Sequence, residues 1–302
     1  MSNSQSRFLD FRALEALGRK RFATRQQIEG SYSGRHRSRV LGGAGEFVDY
    51  REYAEGEDLR RLDWKVLART GRAYLRVYQD ETNLRCTTVV DASGSMGFGN
   101  GNSRANRGTK LEYVQYLATA MSAVISGQQD QVGLAVIGDG LQKVIEPVST
   151  PSQVAGLQDA IAALTPGGPS RLDEGLGTLF GRLTRRGVLV IMSDFLVDDL
   201  DRVFAAVRLF RHRHWEVIVL HIVHPEEERL PDGLAYRFEG MENDGITDCS
   251  PADIRQLYER QFNTHMATVR ASALAAGCDY RRVSTAISYL ETLGGFLMER
   301  AM

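Results

Sequence analysis

Between Asp91 and Asn102 the chain reads DASGSMGFGNGN: one carboxylate and two hydroxyls, Asp91, Ser93 and Ser95, spaced by single small residues and followed by glycines. Ala92 and Gly94 let such a loop turn sharply enough for both hydroxyls to face one point. Two further residues extend the set. Ser170, in LTPGGPSRL, lies in the loop before an expected helix, and Asp194 ends the apolar run GVLVIMSD. Asp91, Ser93, Ser95, Ser170 and Asp194 would together offer an all-oxygen shell with two formal charges. Oxygen donors suit a hard divalent cation, Mg²⁺ first, with Mn²⁺ or Ca²⁺ as alternatives. Mg²⁺ also characteristically leaves positions for water or for an oxygen from another molecule.

Other chemistry is weaker on the same residues. Ser95, Asp194 and His221 or His224 follow the chain order of α/β-hydrolases, but the elbow Gly-x-Ser-x-Gly lacks its first glycine here, in Ser93-Gly94-Ser95-Met96-Gly97. A hydrolase would use Ser95 or a metal-bound water, and no convincing general base accompanies either. The loop GNGNSRANRGTK lacks the Gly-Lys-Ser/Thr ending of a phosphate cradle. It reads instead as a loop flanking the site, with Met96 to Asn102 shaping access. Ser170 with Asp173 also forms a candidate helix cap. His212 and His214 sit at an expected helix end, where cations meet the negative pole of the dipole.

These side chains need a scaffold that brings them together. CTTVVD is a β-branched run ending in Asp91, and GVLVIMSD is continuously apolar up to Ser193, as buried parallel strands are. Thr109 and Glu112 cap a helix bearing Leu111, Val114, Leu117, Met121 and Ile125 at helical spacing. QVGLAVIG and QKVIEPV form two strands around Asp139-Gly140, and Thr150-Pro151 opens another helix that stops at Pro166-Gly167-Gly168. A helix with Leu172, Leu176, Leu179 and Leu183 follows, then one with Leu200, Val203, Phe204 and Val207, and the strand WEVIVLHIV. A helix near 254–275, a strand near 281–283 and a helix near 286–300 close the chain. Such alternation predicts an α/β fold, a doubly wound, mostly parallel sheet over residues 84–302. In that architecture ligands bind at the carboxyl ends of the strands, where Asp91 and Asp194 would stand.

Residues 1–83 read differently: a helix over Phe8–Gln27, then a Gly-, Arg- and aromatic-rich, β-rich module of irregular strands packed on the main domain. Met1–Gly45 holds nine Arg and Lys against three acids, a net of +6 in a chain whose formal charge is -1. A nucleic-acid-binding module through this basic region is the third functional alternative. Arg60, Arg61, Lys65, Arg69, Arg72 and Arg76 are expected to pair with Glu52, Glu55, Glu57, Asp58 and Asp63, so nucleic acid is not the expected partner.

The 43% hydrophobic and 25% charged composition argues for a folded chain over a disordered one. Cys86, Cys249 and Cys278 are unclustered, which excludes a disulfide framework or a cysteine zinc site and suits a reducing compartment. No apolar run approaches the ~20 residues of a membrane span. MSNSQSRFLDF lacks the apolar stretch of a secretory signal. The expected location is cytoplasmic.

DASGS resembles the Asp-x-Ser-x-Ser signature of von Willebrand factor A domains, whose metal-ion-dependent adhesion site adds a Thr and an Asp from two other loops. By position Ser170 matches that Thr, in Gly167-Gly168-Pro169-Ser170, and Asp194 matches that Asp. GGAGEFVDYREYAEGEDLRRLDW with KVLARTGRAYLRVYQDE, HPEEERLPDGLAYRFEGME and Pro251 to Tyr258 resemble blocks of the bacterial domain-of-unknown-function 58 family. At Gly56-Glu57-Asp58 that family often shows Gly-Asp-Asp. The resemblance spans roughly Gly30 to the C-terminus. It implies a von Willebrand A-type fold, a Mg²⁺ site at the five residues, and an adaptor or chaperone-like role beside a MoxR-type AAA+ ATPase or an acidic protein ligand. No turnover and no membrane anchor are expected.

Overall fold

The computed structural model describes residues 8, 22, 33–37, 46–54, 62–79, 81–82, 84–99, 108–233, 235–242 and 245–301. The chain divides into two compact units, residues 24–84 and residues 1–23 with 85–302. The helix expected over Phe8–Gln27 lies outside the described residues, apart from Phe8 and Phe22.

The smaller unit contains β1 (Ser33–Arg37), β2 (Glu46–Glu52), α1 (Trp64–Thr70), β3 (Tyr74–Gln79) and β4 (Glu81–Thr82). β1 pairs antiparallel with β4, and β2 with β3. The helix corrects the expectation of irregular strands throughout. Asp63 caps it, accepting hydrogen bonds from the amides of Lys65 (3.0 Å) and Val66 (3.2 Å), while Gly71 ends it in the left-handed region at φ 71°. The Tyr50 hydroxyl donates to the second Asp63 oxygen (3.1 Å). Lys65 and Arg69 therefore ride on a helix, and Arg72 lies beside Tyr74 and Glu52. Trp64 opens this helix with 60% of its surface exposed. Glu55, Glu57, Asp58, Arg60 and Arg61 lie outside the described residues, as does the Arg76 side chain.

The larger unit runs through β5 (Arg85–Asp91), a short 3-10 turn (Gly94–Gly97), α2 (Lys110–Gly127), β6 (Gln131–Gly138), β7 (Gly140–Val148), α3 (Pro151–Ala162), α4 (Leu172–Arg182) and β8 (Val188–Ser193). There follow α5 (Leu200–His212), β9 (Glu216–Val223), β10 (Tyr236–Glu239), β11 (Ile246–Cys249), α6 (Pro251–Ala275), β12 (Asp279–Ser284) and α7 (Tyr289–Ala301). Six strands form one sheet in the order β12-β9-β8-β5-β6-β7, parallel except for the antiparallel pair β6 and β7. This is the doubly wound α/β architecture. The chain leaves β5 toward β6 on one side and returns to place β8 on the other. The strand order therefore reverses at β5, and a crevice opens at the carboxyl ends of β5 and β8.

The apolar runs become buried strands because helices cover both faces: β8 and β9 are buried along their whole length. Leu176, Leu179, Phe204, Val207 and Phe210 pack against them from α4 and α5. Trp215, 2% exposed, meets Phe210 edge-on with ring centroids 5.6 Å apart. At the opposite rim from the crevice, Arg300 of α7 is buried against Glu216, which opens β9, and Asp279, which opens β12.

Two helix starts and one hairpin depart from the sequence reading. α6 starts at Pro251, earlier than expected, with proline in its first turn, where its missing N–H costs nothing. α7 starts at Tyr289, because the amides of Ala286 and Ile287 are held by Ser284 in a turn. The hairpin β10–β11 was not foreseen. Among the described residues no helix is long and apolar enough to cross a membrane.

Candidate functional site

Asp91 is the last residue of β5, and β5 pairs with β8 in a register that sets Val90 beside Met192. Ser193 and Asp194 thus follow at the neighbouring strand end. The Ser193 hydroxyl donates to Asp91 Oδ2 (2.6 Å), and the Ser93 amide donates to Asp91 Oδ1 (2.9 Å). Burial, and then the nearby Asp194 carboxylate, push the Asp91 carboxyl up to about 6. A cation placed here would relieve both costs.

After Asp91 the chain turns through the 3-10 segment, which brings Ser93 Oγ and Ser95 Oγ to 3.1 Å of each other. The loop of Ser170 is laced to this turn by backbone bonds: the Gly94 amide donates to the Gly168 carbonyl (2.8 Å), and the Gly167 amide donates to the Ala92 carbonyl (3.0 Å). Ser170 does not cap α4. Arg171 occupies the cap position without a side-chain bond, and the buried Ser170 Oγ has no hydrogen-bond partner among the described residues. A buried hydroxyl left unsatisfied is costly, and its oxygen lone pairs stay available to a ligand. The structure therefore brings Asp91, Ser93, Ser95 and Ser170 into one loop cluster at the crevice, with Asp194 on the adjoining strand end.

The donor set fits a hard cation in chemistry: two carboxylates and three hydroxyls, one of which is buried and unpartnered. Among the described residues no three His, Cys, Asp or Glu side chains gather in a way that could hold a metal by themselves. The hydroxyls would have to complete the shell.

The sequence reading missed Lys110. This first residue of α2 is fully buried, with its ammonium 2.5 Å from Asp194 Oδ2 and also bonded to Glu227. Burial favours the neutral amine, but the Asp194 and Glu227 carboxylates outweigh it and hold the lysine pKa above its ordinary value. One site carboxylate thus already carries a resident counter-charge. Asp194 Oδ1 accepts from the Leu196 amide (3.1 Å). Lys110 stands four residues before Val114 on the apolar stripe of α2, a position that signals burial but not the carboxylates it meets.

His221 does not serve Ser95. Its Nε2 meets the Asp194 carbonyl oxygen and its Nδ1 the Tyr280 hydroxyl, each at 3.0 Å, and burial lowers its pKa to about 4. His224 Nδ1 accepts from the Glu226 amide (3.2 Å). An open cleft of about 450 Å³ lies beside the cluster, lined by Ser95, Phe98, Leu196, Glu227 and Glu242. Met96, expected in an access-shaping loop, is instead fully buried, while Phe98 faces the cleft. Residues 100–107 lie outside the described residues. Glu242 closes the block HPEEERLPDGLAYRFEGME, but only the tertiary fold carries it to the cleft.

Residues 49–268 match the family model described as "Protein of unknown function DUF58". An uncharacterized protein of Mycobacterium tuberculosis is 27% identical over 291 residues, spanning 94% of this chain and 89% of its own. The crystal structure of an aerotolerance-related membrane protein from Bacteroides fragilis is similar with a TM-score of 0.48 at 14% identity, covering 72% of this chain and 100% of that one. The SpRpn10 VWA domain gives a TM-score of 0.40 at 14% identity over 70% of this chain and 93% of that one.

Proposed function

The chain belongs to the DUF58 family of proteins of unknown function, and we propose that it works there as a metal-dependent protein-interaction module rather than as an enzyme. The observation that carries this reading is the buried Ser170 hydroxyl, without a partner among the described residues, in one loop cluster with Asp91, Ser93 and Ser95. Asp91, Ser93, Ser95, Ser170 and Asp194 would hold the ion, Mg²⁺ or Mn²⁺. When bound, it would supply the positive charge that recognises an acidic side chain of a partner protein.

The protein's own residues prepare that role. Ser193 and the Ser93 amide hold the Asp91 carboxylate in place through both oxygens. Lys110 and the Leu196 amide hold Asp194, and the lysine keeps the charge of the pocket from rising further. Leu196 and Phe98 flank the cleft with apolar surface, against which a partner's stem can pack. The partner that the family resemblance implies is a MoxR-type AAA+ ATPase, with this chain as adaptor or chaperone-like subunit.

Calorimetric titration with Mg²⁺ and Mn²⁺ tests the reading. The expected result is one site in the unaltered chain and none in Asp91→Ala, with a purified MoxR-type ATPase retained in Mg²⁺ and released by chelator only in the unaltered chain. An isotherm unchanged by the substitution overturns it.

A further inference from the structure

The turn of the β10–β11 hairpin reaches into the site from a separate part of the chain. Glu242 accepts the Ser95 amide at Oε1 (3.2 Å) and the Ser170 amide at Oε2 (3.0 Å). One carboxylate so bridges the two loops that carry the candidate hydroxyls. Its seat is close: a Cβ on Gly94 would lie 2.1 Å from the Met241 carbonyl oxygen and 3.1 Å from Glu242 Cγ. Only glycine at position 94 lets the hairpin tip come down this far.

The hairpin itself is slight. β10 and β11 have four residues each and are mostly exposed, and among the described residues neither pairs with the six-stranded sheet. A two-stranded ribbon of this size holds its position poorly by itself, so the docked tip helps to fix it. Two convergent N–H donors make a notch that suits any carboxylate, and the cleft beside it is open to an incoming side chain.

Building on the partner-docking reading above, we propose that Glu242 is an acidic cap supplied by the chain itself. It occupies the place that a partner's Glu or Asp side chain takes, and such a partner gains the site by displacing the hairpin tip. Because the cap is tethered, its local concentration is in the millimolar range, and an external carboxylate must outcompete it.

Amide hydrogen exchange at Ser95 and Ser170 reads the docking without metal or partner. Both amides are expected to exchange about tenfold faster in Glu242→Ala, in line with the loss of one hydrogen bond each. In Glu242→Gln the side chain keeps one acceptor and turns an N–H group toward the other donor, so one of the two amides should lose protection. A second arm titrates N-acetylglutamate amide as the probe, expected to bind Glu242→Ala at least about tenfold more tightly than the unaltered chain. Unchanged exchange in both variants, or equal probe affinity, overturns the cap. The Asp91→Ala calorimetry separates the two ideas. Faster exchange with no metal site leaves a self-capped carboxylate notch, whereas an intact metal site with unchanged exchange removes the cap alone.

Discussion

Lys110 concentrates the energetics of the site in one residue. Its ammonium is fully enclosed, bonded to Asp194, which is 3% exposed, and to Glu227. Taking an amine and two carboxylates out of water is expensive, and the attraction repays it only while all three remain together. Lys110→Met should therefore lower stability by about 3 to 5 kcal/mol, since it strands two buried carboxylates. Adding Glu227→Gln should restore part of that loss by removing one stranded charge. Urea titrations of the single and double variants check this, and a Lys110→Met chain as stable as the original would show that the ammonium is not holding the carboxylates. The candidate donors were legible as residues because Asp91 and Asp194 each end an apolar run. Their attendants were not. Ser193 and Lys110 act through distances that only the pairing of β5 with β8 and the approach of α2 create, and Glu242, though it closes a block that resembles the family's, arrives from a hairpin whose approach to the site no local pattern announces.

At the scale of elements, what could be read from sequence was what burial writes strongly. β8 and β9 are largely apolar runs and β5 is a buried β-branched one because helices cover both faces, and α2 to α5 carry stripes at helical spacing. The short pieces were illegible for the complementary reason. YRFE and ITDC of the hairpin are mostly exposed and show neither a buried run nor clean alternation, and α1 has only seven residues, too few for a period to declare itself. Its cap Asp63 and terminal Gly71 were the available signals. α7 offers an element-scale test, because Arg300 joins it to the openings of β9 and β12 through Glu216 and Asp279. The guanidinium also lies over the rings of Phe22 and Phe296, at 5.3 and 5.4 Å. Arg300→Leu should cost about 3 kcal/mol or more by removing the guanidinium charge that faces the buried Glu216 carboxylate. Hydrogen exchange along α7 should quicken before exchange in β8 does, and equal protection in both forms would refute the role given to this ion pair.

For the whole molecule, the division into residues 24–84 and the remainder means that the smaller unit is an insertion between two stretches of the larger one. Each unit then has its own core and can in principle lose it separately. The chain contains two tryptophans, and they fall one to each unit: Trp64 at the solvent-facing start of α1 and Trp215 sealed behind Phe210. The protein thereby carries a pair of built-in optical labels of opposite character. Collisional quenching by iodide should reach the red-emitting Trp64 and spare the blue-emitting Trp215, giving a downward-curved quenching plot that Trp215→Phe makes straight. A straight plot in the unaltered chain would contradict the burial of Trp215. Followed through a denaturant series, the loss of the blue emission reports on the sheet that presents Asp91 and Asp194, so its melting can be seen without attaching a dye.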